Sequence, residues 1–142
     1  MDRSRMKAGF TLIELLLVVV IIGILAAIVV PSIIGRADEA RIEAARADLK
    51  VFSDALDQYQ MHIGSYPSSD EGLAALLAAP AGLKDPTKWK GPYLKATSVP
   101  KDPWGSDYIY AFPSERGLKW PDVYSVGPDG QKNSEDDVYK EK

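Results

Sequence analysis

From Lys7 to Pro31 the chain reads KAGFTLIELLLVVVIIGILAAIVVP, and between Phe10 and Val30 only Thr11 and Glu14 carry polar side chains. Phe10 to Val30 is 21 residues; as an α-helix rising ~1.5 Å per residue, that length covers the ~30 Å hydrocarbon core of a bilayer. Arg3, Arg5 and Lys7 precede it against a single Asp2, and positive charge flanking a first span holds that end in the cytoplasm. The remainder is then expected on the far side. A cleaved secretory signal would need a small-x-small site after the run, which Ile28-Val29-Val30-Pro31 does not supply. Glu14 is what a plain anchor leaves unexplained, because a carboxylate inside a span costs on the order of 3 kcal/mol unless it finds a partner. Three readings compete: it snorkels to the interface, it pairs with a cation inside a bundle, or it marks a processing and assembly signal.

The apolar run also distorts the composition. Of 142 residues 46% are apolar, enough for the core of one ordinary domain, but much of that material sits in this one segment. The 78 residues from Ser65 to Lys142 carry nine of the ten prolines and few long aliphatic runs, a size at which a core is marginal and an extra staple is usual. No cysteine is present, which removes disulfides, thiol catalysis and zinc–thiolate sites, and a single His62 argues against a histidine-based metal site or triad. His62 itself is read as an exposed helix-end residue without a role. A net charge of −3 with scattered Lys and Arg gives no nucleic-acid signal.

Beyond Pro31 an amphipathic pattern resumes and runs to Gly64. Ile42, Ala45, Leu49, Phe52, Leu56, Tyr59 and Ile63 recur at alternating intervals of three and four, one stripe on a helix. A single helix of about 50 residues follows, kinked or locally melted near Gly23 to Pro31. Its stripe is read as packing on the chain's own C-terminal half, a homodimeric coiled coil being the rival. Ser68 and Glu71 fit a capping box opening a short helix that ends by Pro80. Tyr108–Phe112 and Val123–Val126 read as strands, with a third expected near Leu118. Trp104-Gly105 between prolines reads as a packed turn rather than a sugar-stacking platform. Short strands laid across one helix make an α+β domain.

The chemistry-bearing stretch is Ser125-Val126-Gly127-Pro128-Asp129-Gly130-Gln131-Lys132-Asn133-Ser134-Glu135-Asp136-Asp137-Val138. Four acids in nine positions repel one another unless solvated or neutralised. Hard oxygen donors of this kind suit Ca²⁺, but the EF-hand spacing is not met, so a calcium loop and a solvated acidic segment both stand on composition.

Lys7-Ala8-Gly9-Phe10-Thr11-Leu12-Ile13-Glu14 resembles the class III signal of type IV prepilins: a short basic leader ending in Gly, then Phe, then an acid at the fifth mature position. The rest of the chain is similar to the major pseudopilins of the type II secretion system. The residues that carry this are Gly64-Ser65-Tyr66-Pro67, Glu71-Gly72-Leu73-Ala74-Ala75-Leu76, Gly91-Pro92-Tyr93-Leu94, Pro100-Lys101-Asp102-Pro103-Trp104-Gly105, Tyr108 with Tyr110, and Tyr124-Ser125-Val126-Gly127-Pro128-Asp129-Gly130. Type IV pilins commonly close this region with a disulfide, whereas the major pseudopilins resemble this chain in having an acidic calcium loop instead.

The resemblance implies a type IV pilin-like α+β fold: a cleaved leader over 1–9, a transmembrane and polymerisation helix over 10–30, its amphipathic continuation over 31–64, and a small periplasmic domain over 65–142 with a calcium loop at 126–137. It implies cleavage between Gly9 and Phe10 by a prepilin peptidase and N-methylation of Phe10. Glu14 is then expected to neutralise the new Phe10 ammonium, within one chain or in a neighbour, and so to set register. It further implies Ca²⁺ bound by the side chains of Asp129, Asp136 and Asp137 and backbone oxygens of Val126 and Ser134, with Gln131 an additional candidate. The expected function is structural, not enzymatic: a single-pass inner-membrane precursor of a Gram-negative bacterium, stored in lipid with its N-terminus cytoplasmic. It polymerises into a periplasmic pseudopilus that drives export of folded proteins across the outer membrane. Expected partners are other copies, minor pseudopilins and the inner-membrane assembly platform, with no nucleic acid. The alternatives are a type IV pilus major pilin for adhesion or motility and a single-span anchor carrying a calcium module.

Overall fold

A computed structural model describes residues 9–140, and over 29–35 the backbone alone; the basic leader residues Arg3, Arg5 and Lys7 lie outside the described residues. The chain divides into two compact units, Met1–Glu39 and Ala40–Lys142. One helix, α1 (Leu12–Ile63), contributes to both.

In the first unit the apolar side chains of α1 that are described are exposed. Phe10 is 80% exposed, Leu12 78% and Ile28 68%, and the residues between them are exposed on every side of the helix. The expected local melting near Gly23 to Pro31 is not seen, since α1 stays helical across it. One proline removes one backbone hydrogen bond, at about 3 kcal/mol, and a helix of 52 residues retains the rest.

The second unit is built around the expected stripe. Ala45, Leu49, Phe52, Leu56 and Tyr59 are all buried, Ala55 joins them, and Ile42 and Ile63 pack at the ends. Their partners come from the C-terminal half: Leu73, Ala75, Leu76, Leu94, Tyr108 and Val138. The stripe therefore closes on its own chain. Ser68 and Glu71 do form a capping box, the Ser68 N–H donating to Glu71 Oε2 (2.8 Å) and the Glu71 N–H to Ser68 Oγ (3.3 Å); the turn they open, Gly72–Leu76, is 3₁₀. Trp89 is anchored by its indole N–H donating to the Ala75 carbonyl (3.1 Å).

Three antiparallel strands complete the unit, β1 (Ile109–Ala111), β2 (Asp122–Ser125) and β3 (Val138–Tyr139), in the order β1-β2-β3. The first two lie where their β-formers predict. The third is not at Leu118: there the Ser114 hydroxyl accepts the Leu118 N–H (3.1 Å) and the Arg116 N–H (3.1 Å), so the backbone is committed to a turn and has no ladder to join. Instead β3 pairs with β2 through Tyr124 opposite Tyr139 and Ser125 opposite Val138. The acidic stretch 126–137 is thus the connection of a β2–β3 hairpin.

Tyrosines tie the sheet to the helix. The Tyr108 hydroxyl donates to Asp48 of α1 (2.7 Å) and its ring meets Phe52 edge-on. The Tyr110 hydroxyl donates to the Pro67 carbonyl (2.7 Å). Around Trp104 the chain makes a tight turn packed against the core, as expected.

Candidate functional site: the helix start and the acidic hairpin loop

The start of α1 explains how Glu14 is held within one chain. Thr11 and Glu14 form a second capping box: the Thr11 N–H and hydroxyl both donate to Glu14 Oε2 (2.9 and 3.0 Å), and the Glu14 N–H reaches Thr11 Oγ1 (3.3 Å). Donors that a helix N-terminus leaves unpaired are thereby satisfied. The pattern Thr-x-x-Glu stands in the sequence as Ser68–Glu71 does, masked there by the apolar context that makes Glu14 conspicuous as a charge. Gly9 and Phe10 precede the helix and are exposed. Among the described residues no helix is long and apolar enough to cross a membrane. The part of the apolar run whose side chains are described, Leu12 to Ile28, is shorter than the roughly 20 residues a span requires, and the sequence continues it through Val29 and Val30.

In the acidic loop, ladder pairing at Ser125 and Val138 brings the two ends together, and the carboxylates of Asp129 and Asp137 meet at one hydroxyl. Ser134 Oγ lies 3.4 Å from Asp129 Oδ1 and 3.5 Å from Asp137 Oδ1. Asp129 also accepts the Gln131 N–H (2.9 Å), an Asx turn. Asp137 accepts the Asn133 N–H (2.9 Å) and the Tyr139 hydroxyl (3.3 Å). Every one of these donors is neutral, and neither carboxylate forms an ion pair among the described residues.

Of the expected ligands, Asp129, Ser134 and Asp137 are therefore brought together. Ser134 takes part through its hydroxyl, while its carbonyl accepts the Asp137 N–H at 3.5 Å. Gln131 contributes its backbone, and Val126 is buried at the end of β2. Asp136 does not join the other two carboxylates: among the described residues no group of three His, Cys, Asp or Glu side chains is arranged to hold a metal. Its backbone has a different place. Gly127 has φ +67°, and a Cβ there would lie 2.3 Å from the Asp136 carbonyl oxygen, so the loop closes on a contact that only glycine permits. The donor chemistry, all hard oxygen on a closed hairpin, fits a cation such as Ca²⁺.

Sequence reasoning missed Asp102. Its buried carboxylate accepts the Trp104 N–H (3.1 Å), the Ser106 N–H (2.7 Å) and the hydroxyl of the wholly buried Ser125. An Asp two residues before Trp-Gly is a turn signal, but its link to Ser125 crosses 23 residues and has no local signature.

An exposed apolar helix opened by a Thr–Glu box, with a small sheet closed on its amphipathic continuation, defines a pilin-like assembly subunit. Residues 4–30 match the model of the prokaryotic N-terminal methylation motif. Residues 32–140 match that of the type II secretion system protein G, and the chain belongs to this family. It is 46% identical over 136 residues to the type II secretion system core protein G of Pseudomonas aeruginosa, covering 94% of this chain and 92% of that one. The Vibrio cholerae core protein G is 41% identical over 135 residues (95% and 90%), and that of Escherichia coli K12 is 40% identical over 138 (96% and 90%). Among solved structures, the major pseudopilin from the type 2 secretion system of enterohaemorrhagic Escherichia coli superimposes with a TM-score of 0.63 at 33% identity, covering 73% of this chain and 85% of that one.

Proposed function

We propose that this chain is the major structural subunit of a type II secretion pseudopilus. A prepilin peptidase cleaves it between Gly9 and Phe10, and Phe10 is N-methylated. Residues 10–30 then hold it in the inner membrane, N-terminus cytoplasmic and residues 31–142 periplasmic, until it polymerises to drive folded proteins across the outer membrane. Minor pseudopilins and the inner-membrane assembly platform are its partners, and it performs no catalysis. The observation that carries this reading is the apolar stretch of α1 from Leu12 to Ile28, exposed on all sides, in a family of secretion subunits. At ~25 cal/mol per Å² of apolar surface, such a helix is stable only in lipid or among copies of itself. The chain has no cysteine, so a pair introduced as Leu16→Cys and Ile22→Cys reports neighbours without background. Oxidation of membranes from expressing cells is expected to give a ladder of dimers, trimers and higher multimers; monomers alone would count against polymerisation.

We further propose that the hairpin loop holds Ca²⁺ through the carboxylates of Asp129 and Asp137 and oxygens of Val126 and Ser134, with the Asp136 carboxylate turning in to join them only when the ion binds and Gln131 as an additional donor. Support comes from the convergence of Asp129 and Asp137 on the Ser134 hydroxyl. When bound, the ion neutralises these acids and joins the two ends of the loop, the staple that a cysteine-free domain lacks. An ion that binds only the folded state adds about 2.7 kcal/mol at a hundred times its Kd, which for a domain near 100 residues raises the unfolding midpoint by more than about 10 °C. The full chain in detergent, melted in EGTA and in excess Ca²⁺, should show that shift. Equal midpoints would exclude the ion.

A further inference from the structure

The turn at 102–106 and the acidic loop are joined by one buried chain of hydrogen bonds. Asp102 Oδ1 accepts the Trp104 and Ser106 N–H groups, and its own N–H and carbonyl bond Ser106 and Gly105, so the carboxylate is fixed from all sides. Its second oxygen accepts the Ser125 hydroxyl. Ser125 Oγ in turn accepts the Gly127 N–H at 3.1 Å. Asp102 is 4% exposed and Ser125 is 0%.

The direction of this chain is set by chemistry. Two backbone amides already donate to the carboxylate, and an ionised carboxylate can only accept. The Ser125 proton must therefore point at Asp102, which leaves the hydroxyl's lone pair for Gly127. The Gly127 N–H is one half of the Val126–Gly127 peptide, and that peptide is trans. A trans peptide is planar with its N–H and C=O opposed, so fixing the one aims the other. The aimed group is the Val126 carbonyl, at the mouth of the loop, with Gly127 pressed on the Asp136 backbone.

We propose that Asp102 and Ser125 are positioning residues for the cation site: they touch no ion, and they orient the Val126–Gly127 peptide so that its carbonyl serves as a ligand. This rests on the calcium reading above and adds to it a requirement from outside the loop. Loss of such a supporting bond costs about 10–100-fold in metal affinity where the ligand depends on it. Ser125→Ala removes the acceptor for Gly127. Asp102→Asn can present an amide that donates to Ser125, leaving the hydroxyl proton without its acceptor, while preserving size.

Calorimetric titration of the full chain in detergent with Ca²⁺ alone, and Tb³⁺ luminescence lifetimes in H₂O and D₂O to count metal-bound waters, test this. Wild type should bind Ca²⁺. Both variants should bind at least about tenfold more weakly, and each should carry one more bound water, filling the place of the misdirected carbonyl. Unfolding in EGTA monitors the fold itself. Weaker binding with an unchanged water count, or unchanged affinity in both variants, overturns the positioning role and leaves the calcium reading standing. Absence of Ca²⁺ binding by wild type overturns the calcium reading, and this inference with it.

Discussion

Glu14 carries both a helix cap and a charge, and a substitution can separate them. Within the chain its carboxylate caps α1 through Thr11, and a glutamine at the same position caps as well, because either side chain supplies the acceptor oxygen. Toward a neighbouring copy, we propose, only the charge serves, as the counterion of the Phe10 ammonium after cleavage. Glu14→Gln should therefore leave membrane levels of the processed chain unchanged and abolish the multimer ladder. Breaking a charge pair in a dry environment costs about 3–5 kcal/mol, more than a hundredfold in association. A ladder of normal intensity would reduce Glu14 to a helix cap. The residues behind this reading were plain in the sequence, since Gly9, Phe10 and Glu14 stand in one short motif. The capping role was equally legible, while Asp102 was legible only as a turn residue, because its partner Ser125 is brought to it only by the fold.

Among the elements, α1 is what the sequence announces most clearly. The alternation of three and four from Ile42 to Ile63 survives intact because each position faces the same core. Strand β3 was hidden for the opposite reason: two residues, Val138 and Tyr139, carry no period, and they become a strand only because β2 is there to pair with them. Leu118 looked more like a strand than β3 does, yet Ser114 holds its backbone.

The contacts between helix and loops also predict an alkaline response. Burial, the hydrogen bond to Asp57 (2.9 Å) and that residue's charge push the Tyr66 hydroxyl up to about 12. Burial likewise pushes Tyr108 and Tyr110 upward, with Asp48 adding to the effect at Tyr108. A tyrosine in the unfolded chain loses its proton near pH ~10. Between there and pH about 12 the folded state holds a proton that the unfolded state has released, so stability is full below pH ~10 and falls as pH rises. Urea midpoints measured from about pH 9 to 12 should decline for wild type and decline less for Tyr66→Phe. Identical slopes would remove Tyr66 from this account.

For the whole molecule, the two units divide the work. Before Ala40 the described residues from Phe10 to Ile28 carry apolar surface that a single copy leaves exposed, and the second unit closes its own core and ends in the acidic hairpin. Length and hydropathy set the apolar run apart in the sequence, and the helical stripe marked the face that packs. The geometry of the loop was not legible there, because sequence supplies the acids but not which of them meet: Asp129 and Asp137 converge across eight positions while Asp136, adjacent to one of them, gives its backbone to Gly127. Whether this chain builds the filament that moves folded proteins outward is read most directly from the distribution of exported proteins in the host from which the gene has been deleted. Cargo should accumulate in the periplasm and vanish from the medium, and return to the medium when the chain, but not its Glu14→Leu variant, is supplied. Undiminished export from the deletion strain would contradict that role.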